Sequence, residues 1–177
     1  GALAADMSLY TDDYRSGERT FQLLTQAEGR AGRGDRPGEV VIQTYDPEHY
    51  AIEASAAQDY EAFYEKEIRY RSLMGYPPVE NLMAVLAACE NEALLEKACK
   101  YLKEYILRIR GQAQLDVIGP ASPGVDKIKD IYRRVIYVKA PEYRTLVVLK
   151  DRMEQYIEIN SGFQKMRIQF DFNPMNL

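Results

Sequence analysis

The sequence predicts an α/β chain that ends in a separate α+β domain. Residues 79–177 alternate apolar and amphipathic segments in the order strand, helix, strand, strand, helix, strand, which is the order of the βαββαβ split unit. Residues 1–57 follow the order strand end, helix, strand, helix. This order is typical of the last half of an α/β lobe. The chain is therefore predicted to hold the end of one lobe and the whole of a second domain.

The first part of the chain is predicted to contain a long amphipathic helix over residues 16–31. β-branched residues after a glycine- and proline-rich turn predict a strand over residues 39–44. A short helix is expected to follow, from residue 46 or 47 to about residue 57. Two strands do not make a parallel sheet, so this part needs further strands to pair with.

A connecting segment over residues 58–78 is predicted to join the two parts. Aromatic and apolar residues at helical spacing indicate a helix over residues 59–74. Gly75 ends this helix, and Tyr76-Pro77-Pro78 favours extended backbone. The predicted boundaries are therefore residues 1–57, 58–78 and 79–177.

The last part of the chain is predicted to form a ferredoxin-like α+β domain. Its first and third strands are the most continuously apolar, so they are expected at the centre of the sheet, covered on both faces. The short second strand and the alternating fourth strand are expected at the edges. The predicted strands and helices, in chain order, cover residues 82–88, 91–111, 114–118, 130–139, 141–159 and 167–173, with a loop over 121–129.

Composition and charge limit the classes of function. The 177 residues are 46% hydrophobic and 28% charged, an ordinary globular balance, and the formal net charge is −4. An acidic chain is expected to contact nucleic acid only locally. No apolar run reaches the length of a membrane span, and no signal peptide is visible at the start.

The cysteines and the single histidine do not indicate a metal site. Cys89 and Cys99 fit a reducing compartment and are expected to be buried small hydrophobes. They lack zinc-site spacing, and His49 is far from both in sequence, so no metal is predicted. We expect His49 to cap or pack against the short helix rather than to act as a base.

A polar face on the helix over residues 16–31 is the strongest candidate for a functional site. At about 100° per residue, four of its side chains fall within about 80° of one another: Gln22, Gln26, Arg30 and Arg33. The planar guanidinium group suits phosphate oxygens, and Gly29 and Gly32 would let a nucleotide or another backbone approach. The same spacing also fits a surface helix whose arginines are solvated and whose glycines mark its end.

The motif Gln26-x-x-Gly29-Arg30-x-Gly32-Arg33 resembles motif VI of superfamily 2 helicases. The wider sequence resembles the PriA family of bacterial replication-restart helicases, which implies that residues 1–57 end a RecA-like helicase lobe. Matching stretches follow in order along nearly the whole chain: Glu18-Arg19-Thr20-Phe21-Gln22-Leu23-Leu24-Thr25-Gln26, Pro37-Gly38-Glu39-Val40, Gln43-Thr44-Tyr45, Asp59-Tyr60, Phe63-Tyr64, Tyr76-Pro77-Pro78, Gly119-Pro120-Ala121, Tyr132-Arg133 and Asp171-Phe172-Asn173-Pro174.

The resemblance implies that Gln26, Arg30 and Arg33 face ATP and Mg²⁺ bound mainly by another lobe of a longer protein. Arg33 would be the arginine finger that stabilises charge on the γ-phosphate, and Arg30 a second phosphate contact. Alternatively, one arginine pairs with Glu28 or Asp35. The chain has no Gly-x-x-x-x-Gly-Lys-Ser/Thr phosphate loop, so alone it is expected to hold no cofactor, to hydrolyse no ATP and to unwind no DNA. The family's zinc-binding insertion would lie upstream of this chain.

Basic residues elsewhere are candidates for contact with DNA or a protein partner. Arg15 ends Asp12-Asp13-Tyr14-Arg15, where the family has Pro-Asp-aromatic-Arg, and it would touch DNA or nucleotide or be a solvated loop arginine. One basic cluster contains an aromatic residue: Lys127, Lys129, Tyr132, Arg133 and Arg134. This combination is typical of single-stranded nucleic-acid binding, and it also fits a charged hairpin that its lysines keep soluble. Arg144, near the start of the last helix, is a further candidate.

The resemblance also implies partners and a function. The partners would be forked and single-stranded DNA, the acidic tail of single-stranded DNA-binding protein and other primosome proteins, in the bacterial cytoplasm and away from membranes. The implied function is that of an ATP-dependent 3′ to 5′ DNA helicase that restarts stalled forks and directs primosome assembly. The alternative is a stand-alone ferredoxin-like module that binds nucleic acid or protein and has no catalytic role.

Overall fold

The chain divides into two units, Gly1–Met74 and Gly75–Leu177. The computed structural model describes residues 5–11, 13–31 and 39–175. Gly32 and Arg33 of the predicted motif, and the predicted turn over 34–38, therefore lie outside the described residues.

The N-terminal unit is built from three α-helices that follow a 3-10 helix at Ala5–Ser8. The helices are α1 (Ser16–Ala31), α2 (Tyr50–Ala56) and α3 (Tyr60–Met74). Phe21 of α1 and Phe63 of α3 are both buried, and their rings stack with centroids 4.3 Å apart. The bounds of α1 are those predicted, because its apolar side meets this aromatic core.

Helix α2 begins later than predicted because His49 caps it. The His49 Nδ1 atom accepts a hydrogen bond from the Ala51 N–H at 3.2 Å, and its ring stacks on Tyr50 with centroids 4.5 Å apart. Burial lowers the pKa of His49, which keeps Nδ1 available as an acceptor. The expected capping role of His49 is confirmed.

The strand predicted over residues 39–44 does not form. The structure has an isolated bridge at Ile42, and the Ala5 N–H donates to the Gln43 carbonyl at 3.0 Å. Val41 is 63% exposed, since the β-branched residues favour extended backbone but meet no neighbouring strand among the described residues. The described part of this unit holds no sheet, so the helicase-lobe architecture predicted for residues 1–57 stays a prediction.

The C-terminal unit holds one antiparallel sheet with the strand order β2-β4-β1-β5. This is the order of the predicted βαββαβ unit, with the first and third principal strands central, and it confirms that prediction. Helices α4 (Glu92–Ile109) and α5 (Tyr143–Ile159) make the two crossovers. The strands are β1 (Asn81–Cys89), β2 (Asp116–Ala121), β3 (Lys127–Ile128), β4 (Ile131–Ala140) and β5 (Arg167–Phe172).

Both faces of the central strands are buried, as their apolar character predicts. Alternate side chains, such as Met83 and Ile136, pack against α4 and α5 in the main core. On the opposite face, Val135 is 1% exposed. There the ring of Tyr76, from the predicted linker, lies 4.1 Å from the Nζ atom of the buried Lys139. Linker residues therefore help to cover the face that the helices leave open.

The structure adds two features that the sequence pattern did not predict. Strand β3 forms a hairpin with β4 through Lys129 and Asp130, whose φ angles are 48° and 64°. After β5, Asn173 turns with a φ of 47°, and its Oδ1 atom accepts from the Leu82 N–H at 2.8 Å. Asn173 thus attaches the end of the edge strand to the beginning of β1.

Strand β2 covers Asp116–Ala121 and not the predicted residues 114–118, whereas the prediction for the two cysteines is confirmed. Cys89 and Cys99 are free and buried. Asn91 caps α4, because its Oδ1 atom accepts from the Leu94 N–H at 2.9 Å. No helix among the described residues combines the length and apolar character needed to cross a membrane.

Candidate functional site

Helix α1 separates a buried side from an exposed polar side. Thr20 and Leu24 are 1% and 4% exposed, whereas Gln22, Gln26 and Arg30 are exposed. Within the part of the chain that the structure describes, no ion pair engages Arg30. Arg33 lies outside those residues, so the structure shows two of the three predicted ATP-contacting side chains and leaves their role a prediction.

A buried polar network holds the first turn of α1 against α3. The Arg71 Nε atom donates to Glu67 Oε1 at 2.7 Å, and Arg71 Nη2 donates to Glu18 Oε2 at 2.7 Å. The side chains of Arg71 and Glu67 are only 9% and 7% exposed, while that of Glu18 is 38% exposed. The hydroxyl of Tyr50, in α2, donates to Glu67 Oε2 at 2.6 Å. All three helices of the unit therefore meet at the Glu67 carboxylate.

The pKa shifts follow from burial and from this network. Burial alone would lower the pKa of Arg71, but the hydrogen bonds that Arg71 donates to Glu18 and Glu67 outweigh this effect, and the pKa lies above its ordinary value. Burial, together with the hydrogen bond to Glu67, raises the pKa of Tyr50 well above its ordinary value. Arg71 therefore remains a cation and Tyr50 remains a hydrogen-bond donor at neutral pH.

Gly17 is required by the same network, although the sequence pattern gave no signal for it. A Cβ atom at Gly17 would lie 2.8 Å from the hydroxyl oxygen of Tyr50 and 2.9 Å from Glu67 Oε2. The glycine thus lets the first turn of α1 approach the tyrosine and carboxylate closely.

Arg15 lies just before α1, next to an aromatic ring. Its guanidinium carbon is 4.5 Å from the centroid of the Tyr14 ring. The backbone N–H of Arg15 donates to Asp13 Oδ1 at 2.9 Å. Asp13 also pairs with Arg19 at 2.8 Å. Asp13 thereby organises the entry to the helix, and Arg15 stacks on Tyr14. Whether Arg15 contacts DNA or nucleotide stays a prediction.

The hairpin of β3 and β4 brings part of the basic cluster together. Lys127 Nζ pairs with Asp130 Oδ1 at 2.9 Å and lies 4.8 Å from the centroid of the Tyr132 ring. The hydrogen bonds that Lys127 donates to Asp130 and Tyr132 raise the pKa of Lys127. Lys129 is exposed at the turn. Lys127, Lys129 and the half-buried Tyr132 thus lie together at the hairpin, and we call this surface the hairpin surface.

The other two members of the predicted cluster, Arg133 and Arg134, point to opposite faces of the sheet, because successive residues of a strand alternate between its faces. Arg134 faces α4, where its Nη2 atom pairs with Glu92 at 2.7 Å and Glu96 at 3.4 Å, leaving its side chain 11% exposed. Arg133 points the other way, and its Nη1 atom donates to the Val125 carbonyl at 3.4 Å. Arg134 therefore joins strand and helix within the domain.

Arg144 borders a cavity of about 300 Å³ between the end of α4 and the start of α5. We call this cavity the arginine pocket. Two further exposed arginines, Arg110 and Arg152, line it together with one acid, Glu142. Its apolar lining consists of Ile109, Ala113, Leu115, Val148 and Leu149. The sequence pattern indicated Arg144 alone, since Arg110 and Arg152 are 34 and 8 residues away from it.

Within the described residues, no three His, Cys, Asp or Glu side chains come together in a way that would hold a metal ion. The chemistry offered by these surfaces is that of cationic donors. Arginine forks bind phosphate or carboxylate oxygens in pairs. The polar side of α1 and the arginine pocket can thus bind anions.

Comparisons with known proteins find relatives along nearly the whole chain. The profile of the family described as primosomal protein N C-terminal domain matches residues 72–175. A protein of Bacillus subtilis (strain 168) named replication restart protein PriA is 36% identical over 174 residues, 98% of this chain and 22% of the relative. A relative of the same name from Synechocystis sp. is 36% identical over 177 residues, 100% of this chain. Another, from Chlamydia trachomatis serovar D, is 33% identical over 177 residues, 98% of this chain. The chain spans only 21% and 22% of the lengths of these two relatives.

Proposed function

This chain belongs to the PriA family, and we propose that it is the C-terminal part of an ATP-dependent 3′ to 5′ DNA helicase that restarts stalled replication forks and directs primosome assembly. The observation that carries this proposal is the exposed polar side of α1, where Gln26 and Arg30 lie side by side. Arg33 follows one turn later in the sequence.

In the proposed helicase, α1 completes an ATP site whose phosphate loop and Mg²⁺ ligands lie in the other lobe. Phosphoryl transfer depends on stabilising charge around the γ-phosphate and requires little covalent chemistry from the protein. Closure of the lobes would bring Arg33 to the γ-phosphate, with Arg30 as a second phosphate contact. Gln26 would hydrogen-bond to a phosphate oxygen or to the attacking water.

The test uses the full-length parent protein. We expect this protein to act in the bacterial cytoplasm. Arg33→Ala is expected to lower DNA-stimulated ATP turnover by about 10³–10⁵, while the dissociation constant for nucleotide changes by only a few fold. Arg30→Ala is expected to lower turnover less. The matched control is Arg69→Ala, which removes an exposed arginine from α3. Turnover that survives Arg33→Ala would show that the finger is assigned wrongly.

The chain by itself is proposed to be inactive. Purified residues 1–177 should show no DNA-stimulated ATP hydrolysis, since the sequence has no phosphate loop. A parent gene with a phosphate loop upstream supports the helicase, whereas a gene without one supports a stand-alone binding module. Robust hydrolysis by residues 1–177 would contradict the proposal.

The arginine pocket favours a second role, the docking of an acidic peptide tail such as that of single-stranded DNA-binding protein. Three arginines surround an apolar floor, so the pocket suits a terminal carboxylate that follows an apolar side chain. A fork of two parallel hydrogen bonds to a carboxylate is stronger and more specific than a neutral contact. Acidic residues before the terminus would add attraction at longer range.

A peptide with acidic residues, an apolar last residue and a free terminal carboxylate tests this role by fluorescence anisotropy. Arg144→Ala should weaken its binding at least tenfold, since a hydrogen bond to a charged group contributes about 1.5–3 kcal/mol. Blocking the peptide terminus as an amide should weaken binding to a similar degree. Arg167→Ala, which removes an exposed arginine from β5, is the matched control. Equal binding of the carboxylate and amide peptides would exclude the pocket as a carboxylate site.

Contact with DNA is assigned to the hairpin surface. Titration of the chain with labelled single-stranded DNA at several salt concentrations measures this contact. Lys129→Ala should weaken binding and reduce the slope of log K against log salt by about one, if its ammonium group neutralises one phosphate. An unchanged slope would show that Lys129 does not neutralise a DNA phosphate, and would favour contact of the hairpin surface with a protein.

A further inference from the structure

Arg71 connects two carboxylates that belong to different helices. It lies in the last turn of α3, where Nε binds Glu67 of the same helix and Nη2 binds Glu18 in the first turn of α1, both at 2.7 Å. Since Arg71 and Glu67 are almost fully buried, water does not compete for the hydrogen bond between them. The guanidinium group offers N–H donors in a rigid plane, so the separation of the two carboxylates fixes the position of α1 on α3.

Two further contacts restrict the same turn of α1. The Tyr50 hydroxyl holds the second oxygen of Glu67, which fixes the carboxylate that Arg71 grips. Gly17 leaves just enough room for this pair, because a Cβ atom there would lie 2.8 Å from the tyrosine oxygen. The first turn of α1 is therefore in close contact with both α2 and α3 through polar groups of fixed geometry.

We propose that Arg71 and Glu18 are positioning residues of the ATP site, which set the direction of α1 and thereby the place of Arg30. This inference rests on the proposed function of α1. Helices are stiff, and at 1.5 Å per residue Arg30 lies about 18 Å along the axis from Glu18. A tilt of about 5° at the first turn would move Arg30 by about 1.6 Å on that length. A displacement of about 1 Å in a group that meets the reacting atoms can cost a hundredfold in rate.

A purely structural network would give a different result from a positioning network. If the contacts served only stability, each variant would lower the melting temperature, and the remaining folded protein would turn over ATP at the normal rate. If they position α1, the maximal turnover per folded protein falls in every variant, and for Glu18→Ala the melting temperature and the KM for ATP stay near their normal values. Glu18 separates the two cases well, because its side chain is 38% exposed and an exposed pair contributes little to stability.

The experiment measures kcat, KM for ATP and melting temperature for variants of the full-length parent. Glu18→Ala is expected to lower kcat at least tenfold with KM within about twofold. Glu18→Gln keeps an acceptor for Arg71 without the charge, and its kcat should lie between those of Glu18→Ala and the wild type. Arg71→Lys keeps the charge but loses the fork, so its kcat should also fall. The matched control is Glu61→Ala, which removes an exposed first-turn glutamate from α3.

The outcomes separate this inference from the proposed function. If Arg33→Ala abolishes turnover while Glu18→Ala and Arg71→Lys keep a normal kcat, the positioning role is wrong and the finger assignment stands. A kcat that falls only in proportion to the loss of folded protein also overturns the positioning role. If turnover survives Arg33→Ala, the proposed function fails, and the positioning role fails with it.

Discussion

The substitution Arg71→Ala should destabilise the N-terminal unit strongly. It removes two hydrogen bonds of 2.7 Å, one to Glu67 and one to Glu18. Glu67 is 5% exposed, and its carboxylate would still accept from the Tyr50 hydroxyl but would have lost its cation. Breaking a buried ion pair by removing one partner costs about 3–5 kcal/mol. The lost contact to the partly exposed Glu18 adds about 1 kcal/mol or less. Most of the expected loss therefore comes from the unpaired buried carboxylate.

The double variant Arg71→Ala/Glu67→Gln tests that explanation. A neutral glutamine is much less costly to bury than an unpaired carboxylate, and its oxygen still accepts from the Tyr50 hydroxyl. The double variant should therefore recover about 2 kcal/mol or more of the free energy of unfolding, even though it carries one more substitution.

Amide hydrogen exchange followed by mass spectrometry resolves the effect, because peptides of the C-terminal unit serve as an internal reference. In Arg71→Ala, peptides from α1 and α3 should exchange about a hundredfold to several thousandfold faster, which corresponds to about 3–5 kcal/mol of opening free energy. Peptides from β1 and β4 should exchange at the normal rate. Unchanged protection of α1 and α3, or a double variant no better protected than the single one, would refute the reasoning.

Three further changes test the C-terminal unit. Leu102 is fully buried in the core, so Leu102→Ala should lower the free energy of unfolding by about 2–5 kcal/mol in chemical denaturation. Asn173→Ala removes the acceptor for the Leu82 N–H and places alanine at a φ of 47°, so it should cost about 1–3 kcal/mol, whereas an unchanged midpoint would contradict the role of Asn173. Burial raises the pKa of the Cys99 thiol from 9.0 to about 11. The thiol's contribution to stability is therefore complete below pH 9 and is lost as the pH rises through about 11, and alkylation of native Cys99 should be slow at pH 8 and accelerate towards pH 11.

The arrangement of the C-terminal unit follows from sequence alone in unusual detail. Periodic apolar residues define α4 and α5, and continuous apolar runs identify β1 and β4 as the central strands. These patterns are local in origin and repeat over many residues, so they survive in any tertiary context. The sequence did not predict β3, because its two-residue turn uses Lys129 and Asp130 in place of the asparagine and glycine that normally signal positive φ angles. It also placed β2 at residues 114–118, whereas the strand covers Asp116–Ala121.

The sequence by itself also determined which residues of α1 face solvent, because helical spacing separates Leu24 from Gln26 and Arg30 whatever surrounds them. It did not determine residues 39–44, whose β-branched side chains indicate a strand that only a neighbouring strand can complete.

Tertiary structure alone decided which charges are available to a partner. Arg133 and Arg134 are adjacent in sequence, yet the pleat directs them to opposite faces, and α4 supplies the acids that bind Arg134. Arg71 resembles any other charge in the exposed pattern of α3 until the fold brings Glu18 from 53 residues away. The physical reason is the same in both cases: an ion pair depends on distances of a few ångströms between side chains, which chain order does not specify.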